Sequence, residues 1–253
     1  MKKITLVAGF ITLMQAFGAV AQTTSSDWYA CNFNDGKTVE DLLKVSNEWN
    51  DWFDNNATSR YTAYVMTPVL GNFADHPEVI WMGFSPTPSE LGRTMDEWMT
   101  KGGKLQKKFD SVVSCSAHAL QGVRTIRSYE KLGEAGFVQV QSCERKPGVS
   151  WGQVAHADER WGTWMEENNI PGGYYRWWSG TGSPRGAAAD PDLGESEFQQ
   201  VWITESMEQR GQGIEAYRAT GAGVASYEIF GFDSLYVCDT ARVWYAQPVG
   251  GTD

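Results

Sequence analysis

Two kinds of hydrophobic pattern follow each other along the chain. Residues 28–33 are rich in aromatic and strand-forming residues, and a turn pattern that ends at Gly36 closes this run. After Thr38, which suits a helix N-cap, apolar residues recur at helical spacing over residues 42–53. The beginning of the chain therefore predicts a strand followed by an amphipathic helix.

The same reasoning extends to the rest of the chain. Strand patterns cover residues 60–68, 78–84 and 115–126, and a helix that opens at Ser89 is interrupted at Gly102 and Gly103. The later half predicts strands over residues 137–143, 174–178, 198–204 and 241–247, and helices over 150–169 and 206–220. Each half therefore has the order βαββαβ.

Matching residues recur at a fixed distance in the two halves. Cys31 and Cys143 are 112 positions apart, and so are Trp49 and Trp161. Such self-similarity is typical of a duplicated supersecondary unit. The spacing drifts late in each half, which indicates insertions in loops, the longest of them over residues 179–195.

A βαββαβ unit forms a four-stranded antiparallel sheet with both helices on one face, which leaves the other face to be covered. Two such units can bury these faces against each other, and this arrangement resembles the dimeric α+β barrel superfamily. The resemblance implies an α+β fold of tandem ferredoxin-like units that form a pseudo-dimeric α+β barrel. Unit 1 is expected over residues 22–132 and unit 2 over residues 133–253.

The superfamily includes haem enzymes similar to chlorite dismutase, cofactor-free monooxygenases and isomerases. The resemblance depends on the order of elements and on the duplication, so it assigns no catalytic residue to this chain.

Four cysteines in an exported chain favour disulfide bonds over free thiols. Each half has one cysteine near its first strand and one near its last. The repeat therefore selects Cys31–Cys115 and Cys143–Cys238 among the three connectivities. A zinc site is the alternative, but the chain has no C-x-x-C pattern.

Residues 1–21 have the pattern of a signal peptide. Lys2 and Lys3 precede an apolar stretch, and the small residues Ala19 and Ala21 flank a cleavage-type sequence. A retained N-terminal anchor is the alternative, although the apolar stretch is short for a membrane span. We expect a periplasmic or secreted protein with no membrane association after cleavage.

The negative net charge of the chain argues against nucleic acid as a partner. Removal of two lysines with the signal takes the formal net charge from −10 to −12. Such an acidic chain is a poor partner for nucleic acid, whose phosphates attract clusters of lysine and arginine.

The alternation along each strand predicts which residues face a cavity between the two sheets. If the purely apolar set of each strand faces the helices, the other set lines the cavity. This assignment gives eight candidate ligand-binding residues: Tyr64, Trp81, Arg176, Trp178, Gln200, Trp202, Arg242 and Trp244. Gln139 and Gln141 fall on the same side. Aromatic walls with a few polar groups are typical of ligand pockets, and the arginines suit an anionic ligand. The alternative is a closely packed core between the sheets.

The chain has three histidines, and none shares metal-ligand spacing with another. His118 aligns with Ala241 on the side of the sheet that faces the helices, which favours a core or edge histidine over a haem ligand. No metal and no cofactor is predicted, and haem is the alternative that the resemblance suggests.

Three functions fit these patterns. The first is an exported protein that binds a small anionic or aromatic molecule in the cavity. The second is a cofactor-free or haem-dependent oxidoreductase, and the third is a structural or interaction module, for example a homo-oligomer. No catalytic constellation in the sequence decides between an enzyme and a binding protein.

Overall fold

A computed structural model of the chain describes residues 24–179, 197–219 and 231–251. Its first half contains, in order, β1 (Thr24–Phe33), α1 (Val39–Asn56), β2 (Thr62–Leu70), β3 (Val79–Ser85), α2 (Pro88–Lys101), α3 (Gly103–Val112) and β4 (Val113–Arg127). The break at Gly102 that separates α2 from α3 was predicted. The proposed signal peptide and most of the long loop insertion lie outside the described residues.

The second half contains β5 (Gly136–Arg145), α4 (Trp151–Glu167), β6 (Gly173–Ser179), β7 (Phe198–Thr204), α5 (Met207–Ala219), the single helical turn α6 (Phe232–Leu235), β8 (Tyr236–Cys238) and β9 (Arg242–Gly251). The start of α4 shows how the local sequence sets a boundary. The Ser150 hydroxyl accepts a hydrogen bond from the Gln153 N–H at 3.3 Å, and the Gln153 side chain accepts one from the Ser150 N–H at 2.9 Å. This capping box fixes the first turn.

Eight strands form a closed antiparallel barrel. They follow the order β7-β6-β4-β1-β3-β2-β9-β5, and β5 also pairs with β7 to close the ring. The short strand β8 extends the sheet beside β5. The two halves of the chain meet at two seams, one between β2 and β9 and the other between β4 and β6.

The interior of the barrel is an apolar core. One buried cluster, together with the partly buried side chains packed against it, draws on all eight barrel strands and on none of the described helices. Its largest members include Trp28 of β1, Tyr64 of β2, Trp177 of β6 and Trp244 of β9. The space between the sheets is therefore filled with packed side chains, as in the alternative that the sequence left open.

The helices cover the outer face of the sheet. In the first half, Leu42, Trp49 and Phe53 of α1 pack with Val65 and Val79 of the sheet in a second buried cluster. In the second half, Val154 and Ala157 of α4 are buried against β5 and β7. The helices thus cover much of the outer face, whereas residues 114–118 of β4 remain exposed.

Both predicted disulfide bonds are present. Cys31 is bonded to Cys115 and Cys143 to Cys238, so each bridge stays within one half. Two disulfides fit an oxidising environment. Among the helices of the described ranges, none has both the length and the apolar character needed to cross a bilayer.

Candidate functional site

The structure separates the eight predicted site residues. Tyr64 and Trp244 lie inside the barrel, as predicted, where they belong to its packed core. The predicted inward orientation is wrong for five others, which lie on the helix-covered face: Trp81, Arg176, Trp178, Gln200 and Trp202. The eight residues therefore do not form one cavity.

Arg176 is fully buried because an acidic residue of α4 neutralises it. Its guanidinium donates to both carboxylate oxygens of Asp158, with an Nη2–Oδ1 distance of 2.7 Å. It also donates to the Tyr236 hydroxyl at 2.7 Å and to the Gln200 side-chain oxygen at 2.9 Å. Because these hydrogen bonds occupy the guanidinium, Arg176 is not available to an anionic ligand.

The other misplaced side chains also have partners on the helix side. The Trp202 indole donates to the Pro171 carbonyl at 2.9 Å, and Trp178 contacts Trp151 of α4 edge to face. Arg210 of α5 donates to the Gln139 side-chain oxygen at 2.6 Å. Gln139 therefore lies on the helix-covered face, although the alternation predicted that it faces the cavity. Polar groups could occupy this face because the helices supply hydrogen-bond partners for them.

Arg242 lies at the rim of the barrel. It donates to the Asp239 carboxylate at 2.7 Å and to the Asn72 carbonyl at 3.3 Å. Both bonds hold neighbouring loops, and Arg242 therefore does not join the other predicted residues.

A concave site lies on the opposite face of the sheet from the predicted cavity. A cavity of about 920 Å³, here named the first-half pocket, lies between the helices α1, α2 and α3 and the strands β1, β3 and β4. Eight aromatic rings line it: Tyr29, Trp49, Trp52, Tyr61, Trp81, Trp98, Phe109 and His118. This size and this lining are typical of sites for small organic ligands.

A buried carboxylate lies at the base of the first-half pocket. Asp27 is only 3% exposed, and the Tyr61 hydroxyl donates to its Oδ1 at 2.8 Å. The Trp81 indole N–H donates to the Tyr61 oxygen at 3.0 Å. Burial and the charge of Asp27 raise the pKa of Tyr61 well above its ordinary value, so Tyr61 stays a donor.

His118 connects this carboxylate to the mouth of the pocket. Its Nε2 lies 3.4 Å from Asp27 Oδ2, while about a third of its side chain is exposed. Its ring stacks on Tyr29 with centroids 3.8 Å apart and planes inclined by 10°. Burial, with the Asp27 charge as a second cause, raises the pKa of Tyr29.

Strand geometry brings these residues together. Asp27 and Tyr29 are two positions apart on β1, so both side chains leave the same face. Tyr29 is paired with Trp81 of β3 on one side and with His118 of β4 on the other. The site therefore crosses three adjacent strands of the first half.

The second half lacks this chemistry at the corresponding positions. The first-half residues Asp27, Tyr29, Trp81 and His118 correspond to Gln139, Gln141, Gln200 and Ala241. The sheet supports the match, because Gln141 pairs with Gln200 as Tyr29 pairs with Trp81. A smaller cavity of about 660 Å³ in the second half is lined by these amides together with Lys146 and Arg210.

Sequence reasoning missed Asp27 and Tyr61. Asp27 directly precedes the predicted strand over residues 28–33, and Tyr61 precedes β2. The alternation of Asp27, Tyr29 and Cys31 would have placed the carboxylate on the face of the buried cysteine. The expected helix-side position of His118 is confirmed.

Neither cavity combines a histidine with cations for haem among its described lining residues. Haem needs an axial ligand, and cations or other donors for its propionates. In the first-half pocket the described lining residues include His118 but no lysine or arginine that could pair with the propionates. In the second cavity Lys146, Arg210 and Arg218 supply cations, but no histidine is among the described lining residues.

Comparison with known proteins gives a likeness of fold. No protein-family model matches the chain, and no curated protein matches it significantly in sequence. Among solved structures, a candidate monooxygenase from Fusobacterium nucleatum is 10% identical with a TM-score of 0.55, and covers 91% of this chain and 97% of its own.

Two further structures give the same result. A candidate monooxygenase from Lactobacillus acidophilus is 5% identical with a TM-score of 0.53, covering 91% of this chain and 97% of its own. A mutant chlorite dismutase from Candidatus Nitrospira defluvii is 9% identical with a TM-score of 0.50, covering 89% and 92%. At such identities the likeness concerns the fold alone: the chain shares an α+β barrel fold with these structures.

Proposed function

We propose that this is an exported protein that binds a small aromatic molecule in the first-half pocket. The observation that carries the proposal is the combination of aromatic walls with one buried carboxylate at the base. Aromatic walls favour a flat apolar ligand, and the few polar groups would fix its orientation.

The charges of the site favour a neutral ligand over an anionic one. The arginines that suggested an anion are held by Asp158 and Asp239. The pocket instead presents the carboxylates of Asp27 and Asp110, and its described lining contains no lysine or arginine. A hydroxyl or N–H group on the ligand would complement Asp27 and His118, whereas a carboxylate would be repelled.

The proposal includes the organisation and the location of the chain. Residues 1–21 would be removed as a signal peptide, leaving ferredoxin-like units over residues 22–132 and 133–253. The strand order β4-β1-β3-β2 in the first half and β9-β5-β7-β6 in the second supports this division. The two disulfides support a periplasmic or secreted location.

Binding can be measured with a neutral aromatic probe and its anionic counterpart. We expect 4-nitroanisole to quench tryptophan fluorescence in a saturable way and to raise the thermal midpoint, and benzoate to do neither. The Trp81→Leu variant should weaken binding about tenfold or more, because it removes a wall of the pocket and the donor to Tyr61. Trp178→Leu is the matched control, because Trp178 lies on the helix-covered face of the second half, away from this pocket. This variant should bind normally. Absence of saturable binding, or equal loss in both variants, would refute the assignment of the pocket.

An oxidoreductase is the second candidate. The observation that favours it is the similarity in fold to structures described as monooxygenase and chlorite dismutase. Oxygen consumption with the protein and a panel of phenols tests the cofactor-free version. Visible absorbance before and after addition of haem tests the other version. Failure of both measurements would leave ligand binding as the function.

A further inference from the structure

We infer that the first-half pocket is a proton-abstraction site, in which His118, oriented by Asp27, takes the proton of a phenolic or enolic hydroxyl on the bound molecule. This inference rests on the proposed function, because it uses the same pocket. It adds a reaction and a substrate class to that function.

The arrangement of the imidazole supports the role of base. Nε2 of His118 faces the Asp27 carboxylate at 3.4 Å, whereas Nδ1 has no hydrogen-bond partner in the described part of the chain. A carboxylate behind an imidazole fixes its orientation and stabilises the imidazolium that forms. The distance is long for a hydrogen bond, and such contacts often shorten when a substrate binds.

The hydrogen bonds of Asp27 leave one of its carboxylate oxygens for His118. Tyr61 occupies Oδ1, which leaves Oδ2 for His118. Within the described ranges, His118 is the one basic side chain within 4 Å of the Asp27 carboxylate. A buried carboxylate without a counter-charge is costly, and an imidazolium formed in the reaction would supply that charge to Asp27.

Other titratable groups of the pocket do not compete for this role. On β1, Tyr29 stacks on His118, and Tyr61 approaches Asp27 from the segment before β2. Burial raises the pKa of both tyrosines, so they remain protonated near neutral pH. From α3, Asp110 lines the pocket and accepts a hydrogen bond from Gln106. The described lining residues of α1, α2 and β3 carry no titratable group. Imidazole is the side chain suited to exchange a proton near neutral pH.

The step is balanced without a further reagent. The O–H bond of the phenol or enol breaks, and an N–H bond forms on His118. The electron pair stays on the oxygen, so a phenolate or enolate forms beside the imidazolium. Return of the proton reverses the step.

A pair of probes separates this inference from the proposed function. 4-Nitroanisole has no exchangeable proton and reports binding alone, whereas 4-nitrophenol absorbs visible light when it ionises. We expect the bound 4-nitrophenol to ionise at lower pH than the free probe. In His118→Gln the ratio of ionised to neutral bound probe, at a fixed pH, should fall about tenfold, which is one unit of the midpoint. Both probes should still bind to this variant.

Two variants complete the design. Asp27→Asn should lower the ionised fraction as well, because the imidazolium loses its counter-charge. His156→Gln, at an exposed position of α4, is the control and should behave as the unmodified protein. His118 lies at the exposed mouth, so its variant keeps the test valid even if Asp27→Asn does not fold. Binding of both probes with equal ionisation in the unmodified protein and His118→Gln would overturn the inference alone. Failure of 4-nitroanisole to bind would overturn the proposed function and the inference together.

Discussion

The Tyr61 hydroxyl lies in the space that a side chain on Gly83 would occupy. Gly83 of β3 is paired with Asp27 of β1, and a Cβ built on Gly83 would lie 1.8 Å from the Tyr61 oxygen. Because Gly83 has no side chain, the Tyr61 ring can lie over β3 and its hydroxyl can reach the Asp27 carboxylate.

Replacement of Gly83 should consequently disturb the base of the pocket. In Gly83→Ala, Tyr61 must move away, which breaks its bonds with Asp27 and Trp81 and leaves a buried carboxylate short of a donor. We expect the free energy of unfolding to fall by about 1–3 kcal/mol in urea denaturation. Gly92→Ala is the control, since Gly92 lies in α2 and a Cβ added to it would meet no neighbouring group within 4 Å. It should stabilise the protein by about 0.5–1 kcal/mol, as expected in a helix interior. Equal effects in the two variants would contradict this account.

The buried pair of Arg176 and Asp158 should be costly to break from one side. Asp158→Ala leaves a buried guanidinium without its counter-charge, and we expect a loss of about 3–5 kcal/mol in the free energy of unfolding. The double variant Asp158→Leu with Arg176→Met should recover most of this loss, because neither charge remains buried. Urea denaturation of the single and double variants measures the coupling.

An exposed ion pair between α4 and β4 provides the comparison. Glu159 is 69% exposed in its side chain and lies 3.4 Å from Arg124. Glu159→Ala should change the free energy of unfolding by no more than about 1 kcal/mol. A loss as large as that of Asp158→Ala would show that burial is not the cause.

The two disulfides should differ in their accessibility to reductant. Cys115 is exposed, whereas Cys143 is buried and Cys238 is partly covered. Under limiting reductant we expect alkylation first at Cys31 and Cys115, which peptide mass spectrometry can measure. Earlier labelling of Cys143 and Cys238 would contradict this order.

Removal of either bridge should also destabilise the fold. The bridges join residues 84 and 95 positions apart, and loops of this length correspond to about 4.6 kcal/mol in the chain-entropy description. The pair of substitutions Cys31→Ala and Cys115→Ala should lower the free energy of unfolding by about 2–5 kcal/mol.

Stability should decline in alkaline solution because of buried tyrosines. Burial raises the pKa of Tyr174 and Tyr175 to about 12, from an ordinary value of 10.0. Above pH 10 the unfolded chain therefore loses these protons before the folded protein does. The stability they contribute is complete below pH 10 and is lost as the pH rises towards 12.

This decline can be assigned to a particular residue. Tyr174→Phe should reduce the slope of stability against pH between 10 and 12 by up to about 1.4 kcal/mol per pH unit. Urea denaturation at a series of pH values, with tyrosinate absorbance as the second measurement, tests this. An unchanged slope would show that Tyr174 ionises equally in both states.

Local patterns and the repeat predicted much of the fold. The pairing of Cys31 with Cys115 followed from the repeat, which the sequence carries directly. The barrel was expected from the resemblance to the dimeric α+β barrel superfamily, which the order of the elements suggested.

The facing of the strands was harder to predict. Strand β6 is buried on both sides, so Tyr175 and Trp177 fill the barrel while Arg176 faces α4. Alternation of polar and apolar residues distinguishes a solvent-exposed face from a buried one. It cannot assign residues to a face where both faces of the strand are buried. The partner that keeps Arg176 buried, Asp158, lies on another element, and nothing in the local pattern indicates the pairing.

The two seams of the barrel have a consequence for the chain as a whole. The open edge of β2 is completed by β9, and that of β4 by β6, so each half supplies the missing neighbour of the other. A half produced alone would expose two unpaired edge strands and an apolar sheet face to water, which are the conditions for self-association. Because the two halves belong to one chain, the pairings of β2 with β9 and of β4 with β6 form within the molecule and compete with association between molecules.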